Sequence, residues 1–123
     1  MRMTQLEVDA FNAKHNKPPS APTDTDAIAA GKEAELHQHI INELHRRRWL
    51  YIHSRMDRAT TTAKGVPDFT IFKPGGDTLF LEAKTKTGKQ STEQRAFENA
   101  AKASGYQYSI VRSLRGAIEE MDK

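Results

Sequence analysis

The chain has 123 residues, enough for one domain with a real core and too few for two. Lysine and arginine number 19 against 16 acids, a net charge of +3 that suits a polyanionic partner without requiring one. The lack of cysteine excludes disulfide scaffolds and thiolate metal sites, no stretch approaches the ~18 apolar residues of a membrane span, and the start "MRMTQLEVDAF" has no signal core, so a soluble cytoplasmic protein is expected.

Residues 1–32 balance in charge, with Arg2, Lys14, Lys17 and Lys32 against Glu7, Asp9, Asp24 and Asp26, so the basic excess lies from position 33 onward. Thr4 to Glu7 has the form of a helix capping box, and Leu6, Val8 and Phe11 predict a short amphipathic helix to about Lys14. "HNKPPSAPTDTD" follows, a linker or surface wrap by composition. From about Asp26 to Arg48, Ile28, Leu36, Ile40, Ile41 and Leu44 recur at helical spacing, with an interruption expected near Gly31. "WLYIHS" reads as a first strand, and residues 54–66 as a polar loop ending in Gly-Val-Pro.

Two strands come next, Asp68–Lys73 and Thr78–Lys84, and Pro74-Gly75-Gly76-Asp77 between them signals a tight turn and an antiparallel hairpin. Ser91 to Gln94 opens a helix in capping-box form that runs to about Ser104, where Gly105 supplies the stop. "YQYSIVR" is a fourth strand, and Ser113 caps a last helix carrying Leu114, Ala117, Ile118 and Met121. The order from position 33 is α-β-β-β-α-β with a closing helix.

The hairpin carries the chemistry. Alternation puts Leu79, Leu81 and Ala83 on one face and Phe80, Glu82 and Lys84 on the other, with Glu82 and Lys84 roughly 7 Å apart along the strand. Asp68 opens the partner strand, where the turn can bring it opposite Glu82. A surface salt bridge of Lys84 with the two acids, worth about 0–1 kcal/mol, is the plain reading. Against it, the acids interrupt apolar strands, Pro67 precedes the first, and helices stand on either side.

"VPD" followed by "EAK" on a hairpin resembles the PD-(D/E)xK nuclease superfamily. More narrowly, "KEAELHQHIINELHRRRW", "GVPDFTIFKPGG", "FLEAKTKTGKQSTEQRAF" and "GYQYSIVRS" resemble the VRR-NUC family, the virus-type replication-repair nucleases, over about Lys32 to Ser113. The resemblance implies an α/β fold, a restriction-endonuclease-like αβββαβ core with a mixed four-stranded sheet flanked by helices. It makes residues 32–123 the nuclease domain and leaves 1–31 as an extension, either a disordered tail or an arm exchanged across a dimer.

By the same resemblance Asp68, Glu82 and the backbone carbonyl of Ala83 ligate Mg²⁺ or Mn²⁺, hard cations that prefer oxygen. Lys84 then orients the attacking water or stabilises the phosphate in the transition state. Action as a general base needs a strongly lowered pKa, which two nearby carboxylates oppose unless a metal neutralises them. The family places a third acid at the start of its first helix, followed by apolar residues at +3, +7 and +11. From Glu33 these are Leu36, Ile40 and Leu44, whereas from Glu35 they are Gln38, Asn42 and Arg46, so register selects Glu33 with Glu35 as fallback. Gln94 matches a glutamine near the family's site, yet its place in the Ser91 capping box explains it equally well.

His37, His39 and His45 contain no i,i+4 pair among themselves and read as solvated helix residues. Trp49, heading an apolar strand, reads as core rather than base-stacking. Arg46, Arg47, Arg48, Arg55, Arg58 and Lys64, extended by Lys86 and Lys89, form a candidate phosphate track beside the site. The expectation is a metal-dependent endonuclease acting on DNA, with stand-alone relatives implying a homodimer that cuts branched DNA such as Holliday junctions in phage-type replication, repair or recombination. A non-catalytic DNA-binding module on the same fold and a sequence-specific restriction-type nuclease are the alternatives.

Overall fold

The computed structural model describes residues 4–19, 33–54 and 64–123. The expected helix start at Asp26–Lys32, part of the Pro-rich linker, Arg55 and Arg58 lie outside them. The elements are α1 (Gln5–His15), α2 (Glu33–Arg47), β1 (Leu50–His53), β2 (Phe69–Phe72), β3 (Thr78–Ala83), α3 (Thr92–Ala103), β4 (Gln107–Val111) and α4 (Leu114–Met121). The strands lie in the order β1-β2-β3-β4. The first two pairings are antiparallel and β3–β4 is parallel, so the sheet is mixed, as expected.

Local chemistry accounts for the boundaries. The three capped helices begin where the sequence puts an oxygen for the free N–H groups. Thr4 Oγ1 accepts from the Glu7 N–H, Ser91 Oγ from Gln94 and Ser113 Oγ from Gly116, each at 3.1 Å. The hairpin closes through Lys73 N–H to the Asp77 carbonyl at 2.8 Å, with Gly75 and Gly76 both at positive φ, the region glycine enters without penalty. α2 ends in a Schellman turn: the Trp49 N–H donates to the Leu44 carbonyl and the Arg48 N–H to His45, at 3.2 and 3.1 Å. Arg48 takes the left-handed position with φ 58°, where glycine is usual.

The core lies on one face of the sheet. Leu36, Ile40, Ile41 and Leu44 of α2, with Ala117 and Met121 of α4, cover Tyr51, Phe69, Ile71, Leu79 and Leu81. The opposite face of β3 and β4 is closed by α3, where Phe97 meets Phe80 edge-on at 5.1 Å and tilts against Tyr108. Both faces of β3 are thus packed, and its end toward Ala83 is fully buried.

β1 is an edge strand, and α1 covers that edge with side-chain amides. Asn12 Nδ2 donates to the Trp49 carbonyl at 2.8 Å, Asn16 Nδ2 to Tyr51 at 2.9 Å, and Asn16 Oδ1 accepts from the His53 N–H at 3.3 Å. Gln5 Nε2 adds a bond to the Arg48 carbonyl. These groups stand in for a fifth strand and satisfy backbone that would otherwise template aggregation. Of the apolar residues of this helix Leu6 is 78% exposed and Val8 and Phe11 are half-buried, whereas Asn12 is buried.

Candidate functional site

The site lies where the open end of the hairpin meets the N-terminal end of α2. Asp68 sits one residue before β2, in a bend that follows Pro67. Phe69 pairs with Leu81 across the hairpin, so the next step along the two strands brings Asp68 opposite Glu82. Asp68 Oδ2 accepts the Ala83 N–H at 2.8 Å, which continues the ladder with a side chain. The segment ahead is held close to α3: a Cβ on Gly65, itself at φ 88°, would lie 2.5 Å from the Glu93 carbonyl oxygen.

Asp68 is 8% exposed and Glu82 1%. Two carboxyl groups so placed cannot both ionise cheaply. Burial, then the hydrogen bond and charge of Asp68, with Glu33 adding to them, push Glu82 up to about 9, against the opposing pull of Lys84. Asp68 moves the other way: burial raises it, but the His37 imidazole, the proton on Glu82 and the Ala83 N–H together hold it below the usual range. At neutral pH the pair therefore shares one proton, carried by Glu82. Glu82 Oε2 is buried without a hydrogen-bond partner, an uncompensated acceptor that a cation can satisfy.

α2 contributes from its first turn. Leu36, Ile40 and Leu44 are buried in the core, in the register that puts Glu33 rather than Glu35 toward the site. Glu33, His37 and Asp68 offer ligand atoms that all lie within 4.8 Å of one another. His37 Nε2 is 3.3 Å from Asp68 Oδ2, close enough for electrostatic attraction but without the alignment of a hydrogen bond. Its Nδ1 lies 3.0 Å from His53 Nε2. The donor set fits a divalent cation: acidic oxygens, one imidazole, and buried atoms lacking partners.

The model of the VRR-NUC domain family matches residues 6–114. The chain belongs to the VRR-NUC family. A solved structure described as a VRR-NUC domain shares 18% identity with it, at a TM-score of 0.62 over 76% of this chain and 97% of that one. At that identity the likeness is one of fold. No curated protein matches the chain. The resemblance carried by the sequence motifs is borne out, and with it a nuclease-type α/β fold. The VRR-NUC match begins inside α1, well ahead of Lys32, where the motif resemblance starts.

Other predicted site residues of this VRR-NUC chain are distributed unevenly. Lys84 follows β3, donates its N–H to the Val111 carbonyl at 2.9 Å, and acts on Glu82 through its charge. Gln94 caps: its Oε1 accepts the Ser91 N–H at 2.8 Å. Lys86 and Lys89 are exposed on the loop after Lys84, whose Thr85 and Gly88 carbonyls accept from Arg112 at 2.6 and 2.8 Å. Lys64 is exposed just before Gly65.

The arginine run does not lie beside the site. Arg46, Arg47 and Arg48 stand at the far end of α2, about 20 Å from Glu33 at ~1.5 Å per residue. Each has acidic partners. Glu43 takes Arg46 and, at 2.6 Å, Arg47, which also reaches Asp122 at 2.8 Å, while Arg48 pairs with Asp9. Arg47 further lies over the Trp49 ring at 4.9 Å. These pairings tie α2 to α4 and α1, a structural role the isolated "HRRRW" run does not disclose.

The histidines are the other correction. His37 is not solvated but lines the site, and His45 bonds the Tyr51 hydroxyl at 3.0 Å. The signal lies in a mixed pair, Glu33 and His37, which is spaced i,i+4 and so shares one helix face.

Proposed function

We propose that this chain is a metal-dependent endonuclease that hydrolyses DNA phosphodiester bonds, with Asp68 and Glu82 as its central ligands and Mg²⁺ or Mn²⁺ as its cofactor. The observation that carries this reading is the buried Asp68–Glu82 pair, which needs a proton to coexist and leaves Glu82 Oε2 unpartnered. Burying two facing acids stabilises nothing by itself. A cation replacing the shared proton turns that arrangement into a binding site.

A bound divalent cation supplies Lewis acidity toward the phosphate and a more acidic water. The chain's own residues do the rest. Asp68, fixed through its bond to the Ala83 N–H, is held on a rigid strand end, and the Ala83 carbonyl projects to the same strand edge as that N–H. Glu33 enters from the first turn of α2 as the third acid. Lys84, beside Glu82, orients the attacking water and stabilises negative charge growing on the phosphate. Gln94, at the start of α3, caps that helix, and the family resemblance alone gives it a further role at the site.

DNA reaches this end of the molecule along Lys64, Lys86 and Lys89. Nothing in this set reads base edges, which favours structure-selective cleavage of branched DNA such as junctions. Paired cuts need two sites and one chain supplies one, so the active form is a homodimer. Ile52 and Phe72, diagonal neighbours on β1 and β2 at 45% and 37% exposure, offer apolar surface for it. The test is purified protein with Mn²⁺ or Mg²⁺ on branched and linear DNAs, beside Asp68→Ala and Glu82→Ala. Cleavage by wild type and none by the variants is expected; equal cleavage by all three defeats the assignment.

A further inference from the structure

The oxygen ligands do not exhaust the donors gathered at Asp68. His37 projects from the same face of α2 as Glu33, one turn on, and its Nε2 is 3.3 Å from Asp68 Oδ2. That nitrogen is buried and makes no aligned hydrogen bond. The other ring nitrogen is engaged: Nδ1 lies 3.0 Å from His53 Nε2. His53 is in turn fixed, its ring stacked flat on Phe69 at 4.5 Å and 9°.

One proton lies between the two rings. With that proton on His37 Nδ1, donated to His53, Nε2 presents a lone pair toward the Asp68 carboxylate. In that tautomer the two acceptors, 3.3 Å apart, repel unless a cation lies between them, whereas in the metal-free site a proton on Nε2 fills that place and favours the Asp68 charge. Metal-bound histidines are held in this way, with the nitrogen that does not bind donating to a fixed acceptor. The spread of 4.8 Å among the Glu33, His37 and Asp68 donors closes onto one ion with small side-chain movements, since metal–ligand bonds run about 2.0–2.2 Å.

We propose that His37 is a metal ligand of this site, its Nε2 binding together with Asp68 and Glu33, and that His53 is the positioning residue that fixes its ring. This rests on the reading of the site as a divalent-cation centre. The consequence is a choice of metal. A nitrogen donor suits Mn²⁺ better than Mg²⁺, which prefers oxygen throughout. The chain should therefore favour Mn²⁺ more strongly than a site built from carboxylates and a carbonyl alone.

The test uses the full chain, stripped with EDTA and loaded with less than one equivalent of Mn²⁺. Pulsed EPR is expected to show nitrogen coupling to the bound Mn²⁺ in wild type and to lose it in His37→Ala. Calorimetry is expected to show Mn²⁺ affinity falling by about 10–100-fold in His37→Ala, with a smaller change for Mg²⁺. His53→Phe, which keeps the stack on Phe69, should retain the nitrogen coupling and lose about tenfold in affinity. Bound Mn²⁺ without nitrogen coupling in wild type overturns the inference alone, as does coupling that persists in His37→Ala. If Asp68→Ala binds Mn²⁺ as tightly as wild type, the cation-centre reading fails with it.

Discussion

The two ends of α2 both carry dense charge, and they use it in opposite ways. At the C-terminal end Glu43, Arg46, Arg47 and Asp122 form a mixed-sign network, and Arg48 pairs with Asp9 across to α1. Burial raises Glu43, yet the two arginines more than offset it and hold it below the usual carboxylate range. At the N-terminal end Glu33, Asp68 and Glu82 crowd charges of one sign, and Glu82 stays protonated. The first arrangement holds helices together. The second weakens the folded state, and the proposed cation would complete it.

That contrast makes its largest prediction at the acidic end. Glu82→Ala should lower cleavage by about a thousandfold or more, the scale of losing several kcal/mol of transition-state stabilisation by a metal. In EDTA the same cluster should behave in reverse. Glu82→Gln, uncharged and close in shape, should melt no lower than wild type in thermal unfolding. A drop of many degrees would mean that the acids serve the fold.

The arginine end should respond the other way. Arg47 is 14% exposed in its side chain and joins Glu43 to Asp122, so Arg47→Ala should cost about 2–3 kcal/mol in urea unfolding. Cleavage per folded molecule should be unchanged within a few-fold. A large fall in DNA affinity with unaltered stability would return this run to the phosphate track.

Titration sharpens the same difference. The folded-state value of Glu82, about 9, stands above its ordinary 4.5, so the folded protein binds the more protons between them. Its destabilising contribution is absent below about pH 4.5 and grows as pH rises toward 9. In EDTA, the melting temperature of wild type should therefore fall relative to Glu82→Gln between pH 6 and pH 8.5. Saturating Mn²⁺ should remove much of that slope, because the cation displaces the proton.

Much of this was legible in the residues themselves. The hairpin, the caps at Thr4, Ser91 and Ser113, and the positions of Asp68 and Glu82 follow from turn chemistry, capping oxygens and alternation, all of which act within a few residues. For the third acid the family resemblance asked for a carboxylate at the start of α2, and helix register chose Glu33 over Glu35, because Leu36, Ile40 and Leu44 must face the core. What escaped depends on distant partners. Arg48 meets Asp9 and Arg47 meets Asp122 only once the chain has folded, and no local pattern announces either. His37 escaped for a different reason: its partner Glu33 stands one turn away, but the pair mixes an acid with an imidazole, and no pattern within one residue type reveals it.

The smallest effect concerns the β1 edge of the sheet. Asn16 presents one amide to two backbone groups of β1, accepting from His53 and donating to Tyr51. Asn16→Ala should cost about 1–2 kcal/mol, since it leaves a part-buried N–H and carbonyl without partners. The loss should appear in hydrogen exchange as faster opening of the His53 amide, with Ile71 and Leu79 in the sheet centre unaffected. Because the His53 ring also backs His37, a loosened β1 should soften the metal site from behind. Asn16→Ala should thus weaken Mn²⁺ binding slightly, by less than His53→Phe. An equal loss in the two would mean that strand position, not the His53 ring itself, holds His37 in place.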